Sequence, residues 1–444
     1  MPIKRVLSDK YVSWGRFFRY SHEVEKLHWY TELEELNLHE ENKPMLAYGL
    51  GRSYGDSCLN KDAMLLDVSG MNNFISFERN TGVMRCEAGV TLAQILELAI
   101  PFGWFLPVTP GTKFVTIGGA IANDVHGKNH HLAGTIGNHI HCFELLLSSG
   151  KRVLCSPTEN EALFRATIGG LGLTGLITWA EMRLKKASPL ITMESIKFGN
   201  LDEFFKLAEE DQNYEYTVAW VDCVSSGKDL GRGIYMRGNH KNGGDVLKGS
   251  IVKKPIIAVP FSAPNHLLNN FTIKLFNLAY YEKQRQKTVV KDVHYDPFFY
   301  PLDLVDKWNL IYGSRGFFQY QFVIPLAKAH VVAKVFELIA SSKMASFLAV
   351  LKKFGNIESP GMLSFPKEGI TLALDFVNRG EATLQLFKKL DELVLTADGR
   401  LYPAKDAHMS GDHFKAFYPQ IDEFLKYKDP KFSSSFFRRV VGNG

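Results

Sequence analysis

The densest concentration of reactive side chains in this 444-residue chain lies between Thr109 and His131. Thr109-Pro110-Gly111 is followed by Thr116-Ile117-Gly118-Gly119-Ala120-Ile121-Ala122-Asn123-Asp124-Val125-His126-Gly127-Lys128-Asn129-His130-His131. Small residues at 118–120 let a ligand approach the backbone closely. Groups that form directional hydrogen bonds follow at once, with three histidines and a lysine inside residues 126–131. Two chemistries compete for such a cluster. His126, His130 and His131 with Asp124 offer zinc ligands. Alternatively, the glycines accept a phosphate and the polar residues serve the reacting group. The glycines before and within the cluster argue against a helix presenting His126 and His130 on one face, and no His-Glu-x-x-His occurs. We expect no metal.

Two further glycine loops bear on phosphate binding. Gly49-Leu50-Gly51-Arg52-Ser53-Tyr54-Gly55-Asp56 follows a strand-like run, but its third glycine falls one place late for G-x-G-x-x-G and no long helix follows. A Rossmann site is disfavoured, although consecutive exposed N–H groups can still cradle a pyrophosphate. Gly170-Leu171-Gly172-Leu173-Thr174-Gly175 matches G-x-G-x-x-G. It runs from helix to strand, the reverse of the order that aims a helix N-terminus at phosphate. It reads as a packing turn.

The elements that must hold these loops divide the chain. From about residue 44 to 184 short strands alternate with glycine turns. TLAQILELAIPFG reads as a helix capped by Thr91 and ending at Gly103. HCFELLLSSGKRVLCS reads as a hairpin, ENEALFRATIGG as a helix, and LITWAEMRL as a strand. From about 187 to 397 glycine thins. LDEFFKLAEED and AHVVAKVFELIASS have helical spacing, whereas GFFQYQFVIP and GITLALDFV alternate as strands. An antiparallel sheet with helices on one face is expected there. RLYPAKD reads as a strand end with a loop, and HFKAFYPQIDEFLKYKDP as one closing helix. The expected division is a first domain over 1–186, an inserted α+β domain over 187–397, and a C-terminal segment, 398–444, completing the first.

Composition sets outer limits. The formal net charge of +5, from 52 basic and 47 acidic residues, is too small to indicate nucleic acid. Five scattered cysteines without a CxxC pair suggest reduced thiols. The N-terminal sequence has no secretory h-region, and no run reaches the ~18–20 apolar residues of a membrane span. A cytoplasmic protein is expected. Residues 253–287 mix apolar runs, prolines and lysines. They read either as a core helix behind a loop or as a segment touching lipid, which would make the protein peripheral on the inner membrane.

Together the pyrophosphate-suited loops, the glycine turn and the inserted domain resemble the vanillyl-alcohol oxidase / p-cresol methylhydroxylase superfamily of FAD enzymes. The runs GLGRSYGD, TPGTKFVTIGGAIANDVHGKNHHLAGTIGNH, GGLGLTG, GFFQYQF, SFP and RLYPAKD, spread from Gly49 to Asp406, resemble its decaprenylphosphoryl-ribose 2-oxidase branch. The resemblance implies an α+β fold whose FAD domain has two subdomains and is not a Rossmann fold. The inserted domain would cover the flavin.

By this resemblance, Gly49, Leu50, Gly51, Arg52, Ser53, Tyr54 and Gly55, with Thr116, Ile117, Gly118 and Gly119, hold the FAD phosphates through backbone N–H groups. Gly111, Asn123, Asp124, Val125, His126, Ile177 and Tyr402 line the rest of the cofactor site. Covalent members carry a histidine where this chain has Arg52, so non-covalent FAD is implied. Tyr54, His126, Tyr312, Gln319, Gln321, Lys352 and Lys405 form the substrate face. Oxidising a secondary alcohol requires a group to receive the hydroxyl proton; His126, Tyr54 and Lys405 are open candidates. The implied reaction converts the 2-hydroxyl of a polyprenyl-phosphoryl ribose to a ketone. An NAD(P)H-dependent short-chain reductase would complete the epimerisation toward a cell-wall precursor. A soluble alditol or carbohydrate oxidase using oxygen, and a non-catalytic sugar-phosphate binder, are the alternatives. One departure stands out: mycobacterial members carry a cysteine where this chain has Ala373.

Overall fold

We analysed a computed structural model describing residues 5–34, 36, 38–211, 213–241, 257–264 and 267–442. Three sheets carry the architecture. The first has four strands in the order Val6–Ser8, His22–Lys26, Met64–Asp67, Met45–Tyr48. Met64–Asp67 runs parallel to both of its neighbours. All four of its residues are buried, as expected of a parallel strand covered on both faces. The second sheet has five antiparallel strands, with Leu176–Arg183 near its centre between Val83–Glu87 and Ile140–Leu146. The helix Leu92–Ala99 packs on it and carries a full capping box between Thr91 and Gln94. Gly103, at φ 76, ends the short turn that follows. Two small sheets thus replace a doubly wound one.

The third sheet has eight antiparallel strands. Its register explains how one strand serves two purposes. Every residue of Phe317–Ile324 is buried. Phe318, Tyr320, Phe322 and Ile324 point into a core built with the helices Val331–Ser342 and Glu381–Thr396. Side chains alternate across a strand, so Phe317, Gln319, Gln321 and Val323 face the other way. Each buried phenylalanine stabilises the helical side by roughly 2–3 kcal/mol. The alternation seen in sequence therefore separates core from site, with neither face in solvent.

Three expectations are amended. The segment from Gly399 begins inside the third sheet, because Arg400–Leu401 pairs with Phe322 and Val323. It then reaches the first sheet, where Met45 bridges Phe432. The closing helix is two helices, Gly411–Phe417 and Ile421–Leu425. Tyr418 precedes Pro419 and leaves the helical region at φ −127, ψ 72. Within 253–287, the described part contains a helix, Asn270–Lys283, capped by Asn269; residues 253–256 and 265–266 lie outside the described residues. This helix lies over the face of the third sheet opposite the other helices. Asn277 is buried and donates to Asp222 and to the Ser346 carbonyl. Phe271, Leu275 and Leu278 are exposed on the outer side.

No helix among the described residues is long and apolar enough to cross a membrane.

Candidate active site

A cavity of about 510 Å³ is lined by the glycine loops of the N-terminal sheets on one side and by the third sheet on the other. Of the residues singled out in sequence, Gly49, Leu50, Gly51, Arg52, Ser53, Tyr54, Gly111, Thr116, Gly118, Gly119, Asn123, Val125, His126, Ile177, Gln319, Gln321, Lys352, Tyr402 and Lys405 line it. Gly55, Ile117, Asp124 and Tyr312 do not.

The first glycine loop carries the donors. Among the described residues, the N–H groups of Leu50, Gly51 and Arg52 have no protein acceptor. Gly51 sits at φ 60, and a Cβ there would meet the Tyr48 hydroxyl at 2.1 Å. Successive free N–H groups in such a turn form an anion-binding nest. The Arg52 guanidinium stacks 4.0 Å from the Trp14 ring centre. Its Nε is buried without a partner among the described residues. Burial lowers its pKa, with Asp303 opposing.

The second glycine stretch behaves otherwise. Thr116 caps a short helix, Ile117–Ala122. The N–H groups of Ile117, Gly118 and Gly119 already donate to Val90, Ala88 and the Thr116 hydroxyl. The expectation that they hold phosphate is corrected: this stretch offers close-approach surface, and Ile117 is core. Gly55 is likewise a packing residue, because a Cβ there would lie 1.6 Å from the Asp406 carbonyl oxygen. Asp124 is also corrected. It is buried at φ 41 and accepts from the Gly137 N–H and from Ser359 and Ser364. It fixes the turn that presents Asn123 and His126. Asn123 in turn accepts through its carbonyl from the Tyr402 hydroxyl at 2.8 Å. The Gly170–Gly175 turn does more than pack, since Gly172 and Gly175 line the cavity.

The polar wall gathers the titratable groups. The His126 imidazole sits among Phe354, Phe365 and Tyr402. Its Nε2 lies 3.0 Å from the Gln321 amide nitrogen, and its Nδ1 is buried without a partner among the described residues. Burial, then Lys352, His130 and Lys405, push its pKa well below the usual value. Lys405 lies over the Tyr54 ring at 3.9 Å. Burial pulls its pKa down to about 7, against the pull of Asp375. Lys352 is brought to about 8 by burial. Tyr54 is held well above its usual range, again by burial. Tyr312 stands behind this wall, stacked on Phe317 at 4.1 Å and donating to Asp375. It is not among the residues that line the cavity.

The histidine cluster is dispersed. His131 bonds the Tyr214 carbonyl, and His130 packs its ring on Phe354. Among the described residues no group of three metal-ligating side chains comes together.

Several residues escaped the sequence reading. Lys128 lines the cavity, donates to the Phe298 carbonyl, and is brought to about 7 by burial and then Lys352. Asp375 is buried and raised to about 7, also by burial. Trp220, Phe276, Tyr280 and Phe347 form an aromatic wall. Lys128 sat inside the motif that drew attention and was detectable. The aromatic wall depends on the helix Asn270–Lys283 crossing the sheet, which no local spacing encodes.

An FAD fits this arrangement: loop N–H groups and an arginine Nε without partners among the described residues face one part of the cavity, and ionisable groups face another. Residues 37–156 match the family model for the FAD binding domain. Decaprenylphosphoryl-beta-D-ribose oxidase from Mycolicibacterium smegmatis is 37% identical over 420 residues, covering 90% of both chains. A Streptomyces coelicolor protein, described as an uncharacterized protein in the mprA 5' region, is 31% identical over 79% of this chain and all of its own length. Human Delta(24)-sterol reductase is 31% identical over 30% of this chain and 26% of its own. The first of these relatives is similar over nine-tenths of both chains, and the chain belongs to the decaprenylphosphoryl-ribose oxidase family of FAD-dependent oxidoreductases.

Proposed function

We propose that this protein oxidises the 2-hydroxyl of a polyprenyl-phosphoryl ribose to a ketone, with non-covalently bound FAD as hydride acceptor. One observation carries the reading: a single cavity sets Lys128, Lys352 and Lys405 beside an aromatic wall. Buried ammonium groups are costly unless compensated. Among the described residues, no carboxylate opposes the effect of burial on Lys128 and Lys352. A phosphodiester supplies that charge, and a prenyl chain suits Trp220, Phe276, Tyr280 and Phe347. The Mycolicibacterium relative bears the corresponding name.

Roles follow from the protonation states. FAD, when bound, supplies the acceptor for the carbinol hydride. Lys405 is matched to neutral pH and takes the hydroxyl proton. Tyr54 remains a phenol and donates a hydrogen bond to the substrate oxygen. His126, held neutral and tied to Gln321, orients rather than accepts. Arg52 occupies the place of the flavin-linking histidine and cannot form that bond, so it steadies the nest. The exposed face of Asn270–Lys283 rests on the inner membrane, where the lipid substrate lies. A short-chain NAD(P)H reductase takes the ketone.

Anaerobic flavin bleaching tests this. Short-chain prenyl-phosphoryl ribose should bleach the flavin, while free ribose and alditols should act at least ~100-fold more slowly, the scale of lost remote binding energy. Equal bleaching by free alditols would favour a soluble carbohydrate oxidase instead.

A further inference from the structure

Asp375 faces the cavity wall from the strand Gly369–Val377, directly opposite Gln319 in register. It is only 1% exposed. Its Oδ1 accepts from the Gln319 amide at 2.6 Å, and its Oδ2 accepts from the Tyr312 hydroxyl at 3.1 Å. Its own N–H donates to Ser346 Oγ. No cation lies within ion-pair distance of it among the described residues. The positive charge acting on it is Lys405, which also lies against Tyr54.

A buried carboxylate with two neutral donors and no ion pair is an expensive way to satisfy Gln319 and Tyr312. An asparagine could meet both, accepting from the amide and donating to the phenol oxygen. What a carboxylate adds is charge, and that charge acts on Lys405. We propose that Asp375 is a positioning residue for proton transfer: it tunes the Lys405 amine and countercharges the ammonium formed when that amine takes the substrate hydroxyl proton.

The step balances. The carbinol hydrogen leaves with the C–H electron pair as hydride, for which FAD, when bound, would supply the acceptor. The O–H bond breaks with its proton passing to Lys405 Nζ, and the C=O bond forms. The inference rests on the proposed alcohol oxidation but not on the identity of the sugar. Tyr312, Gln319 and Ser346 bond to Asp375, and Lys405 and Tyr54 interact with it through their charge. Lys352 acts on Lys405 and lowers its pKa further. Asp375 opposes that shift, so removing its charge leaves Lys405 neutral at lower pH.

The test compares the holoenzyme with D375N, D375E and Y312F. In anaerobic stopped-flow reduction, the wild-type rate should rise with pH as Lys405 loses its proton. D375N should move that midpoint down by about one pH unit and lower the plateau by about tenfold or more. D375E should restore the midpoint. Y312F removes one donor from the carboxylate and should give a smaller shift in the same direction. Substrate-free infrared difference spectra supply an independent readout. A protonated-carboxyl band present at acid pH should vanish on passing to alkaline pH, be absent in D375N, and persist to higher pH in K405M. An unchanged midpoint in both D375N and Y312F, or a carboxyl band indifferent to K405M, would overturn the proposal. If no sugar bleaches the flavin, the infrared arm still decides the coupling, so the two failures are distinguishable.

Discussion

Lys405 Nζ lies 3.9 Å from the centre of the Tyr54 ring, so two of the three proton-transfer candidates are in direct contact. The Tyr54 backbone is fixed to the same loop, its N–H donating to the Ala404 carbonyl. The pair is therefore positioned as a unit. K405M should lower the flavin reduction rate by about 10²–10⁴-fold while FAD absorbance is retained. Y54F should cost less, because the ring face survives. Rapid-reaction spectrophotometry of both variants checks the order.

Three lysines with depressed pKa values make stability depend on pH. Lys128, Lys352 and Lys405 bind protons less readily folded than unfolded, at about 7, 8 and 7 against ~10.4 in the unfolded chain. The unfolded state thus holds more protons between these limits, and stability rises with pH across them. It is lost as pH falls toward 7. The melting temperature of the apoprotein should climb from pH 7 toward pH 10, and K352M should flatten that climb.

The proposed non-covalent attachment through Arg52 has a direct check. Acid precipitation should leave all the flavin in the supernatant. R52A should weaken FAD binding by about 1–3 kcal/mol, the scale of charge-assisted hydrogen bonds, measured by fluorescence titration of the apoprotein.

Gly55 has no room for a side chain, since the obstacle is the Asp406 backbone. G55A should destabilise by roughly 1–3 kcal/mol or more and loosen the Lys405 loop. Thermal melting reports the first effect and the reduction rate the second.

The two faces of Asn270–Lys283 should separate by mutation. Phe271 is 75% and Leu275 57% exposed, whereas Tyr280 packs on Trp220 and lines the cavity. L275E should reduce co-sedimentation with anionic vesicles and leave turnover of a short-chain soluble analogue unchanged. Y280A should raise KM for prenyl substrates in proportion to chain length.

Much of this was legible from residue order alone. Glycine loops, capped helices and alternating strands are local signals, and the Gly49–Gly55 and Thr109–His131 segments stood out through them, whereas Lys405 came from the family resemblance alone. The errors are equally physical. The free N–H count of Ile117–Gly119 depends on Ala88 and Val90 approaching from another strand. The burial of Tyr312 behind Gln319 depends on the pairing of Phe317–Ile324 with Gly369–Val377. Asp375 looked like an ordinary strand residue because its partners are 56 and 63 positions away.

The strand Phe317–Ile324 binds evolution to a parity rule. One side of it anchors helices through Phe318, Tyr320 and Phe322, and the other presents Gln319 and Gln321 to the cavity. Inserting one residue would rotate aromatics into the polar wall and glutamines into the hydrocarbon interior at once. Here fold and chemistry would fail together. Within this strand, substitution at Gln319 or Gln321 would change the cavity and leave the aromatic side intact.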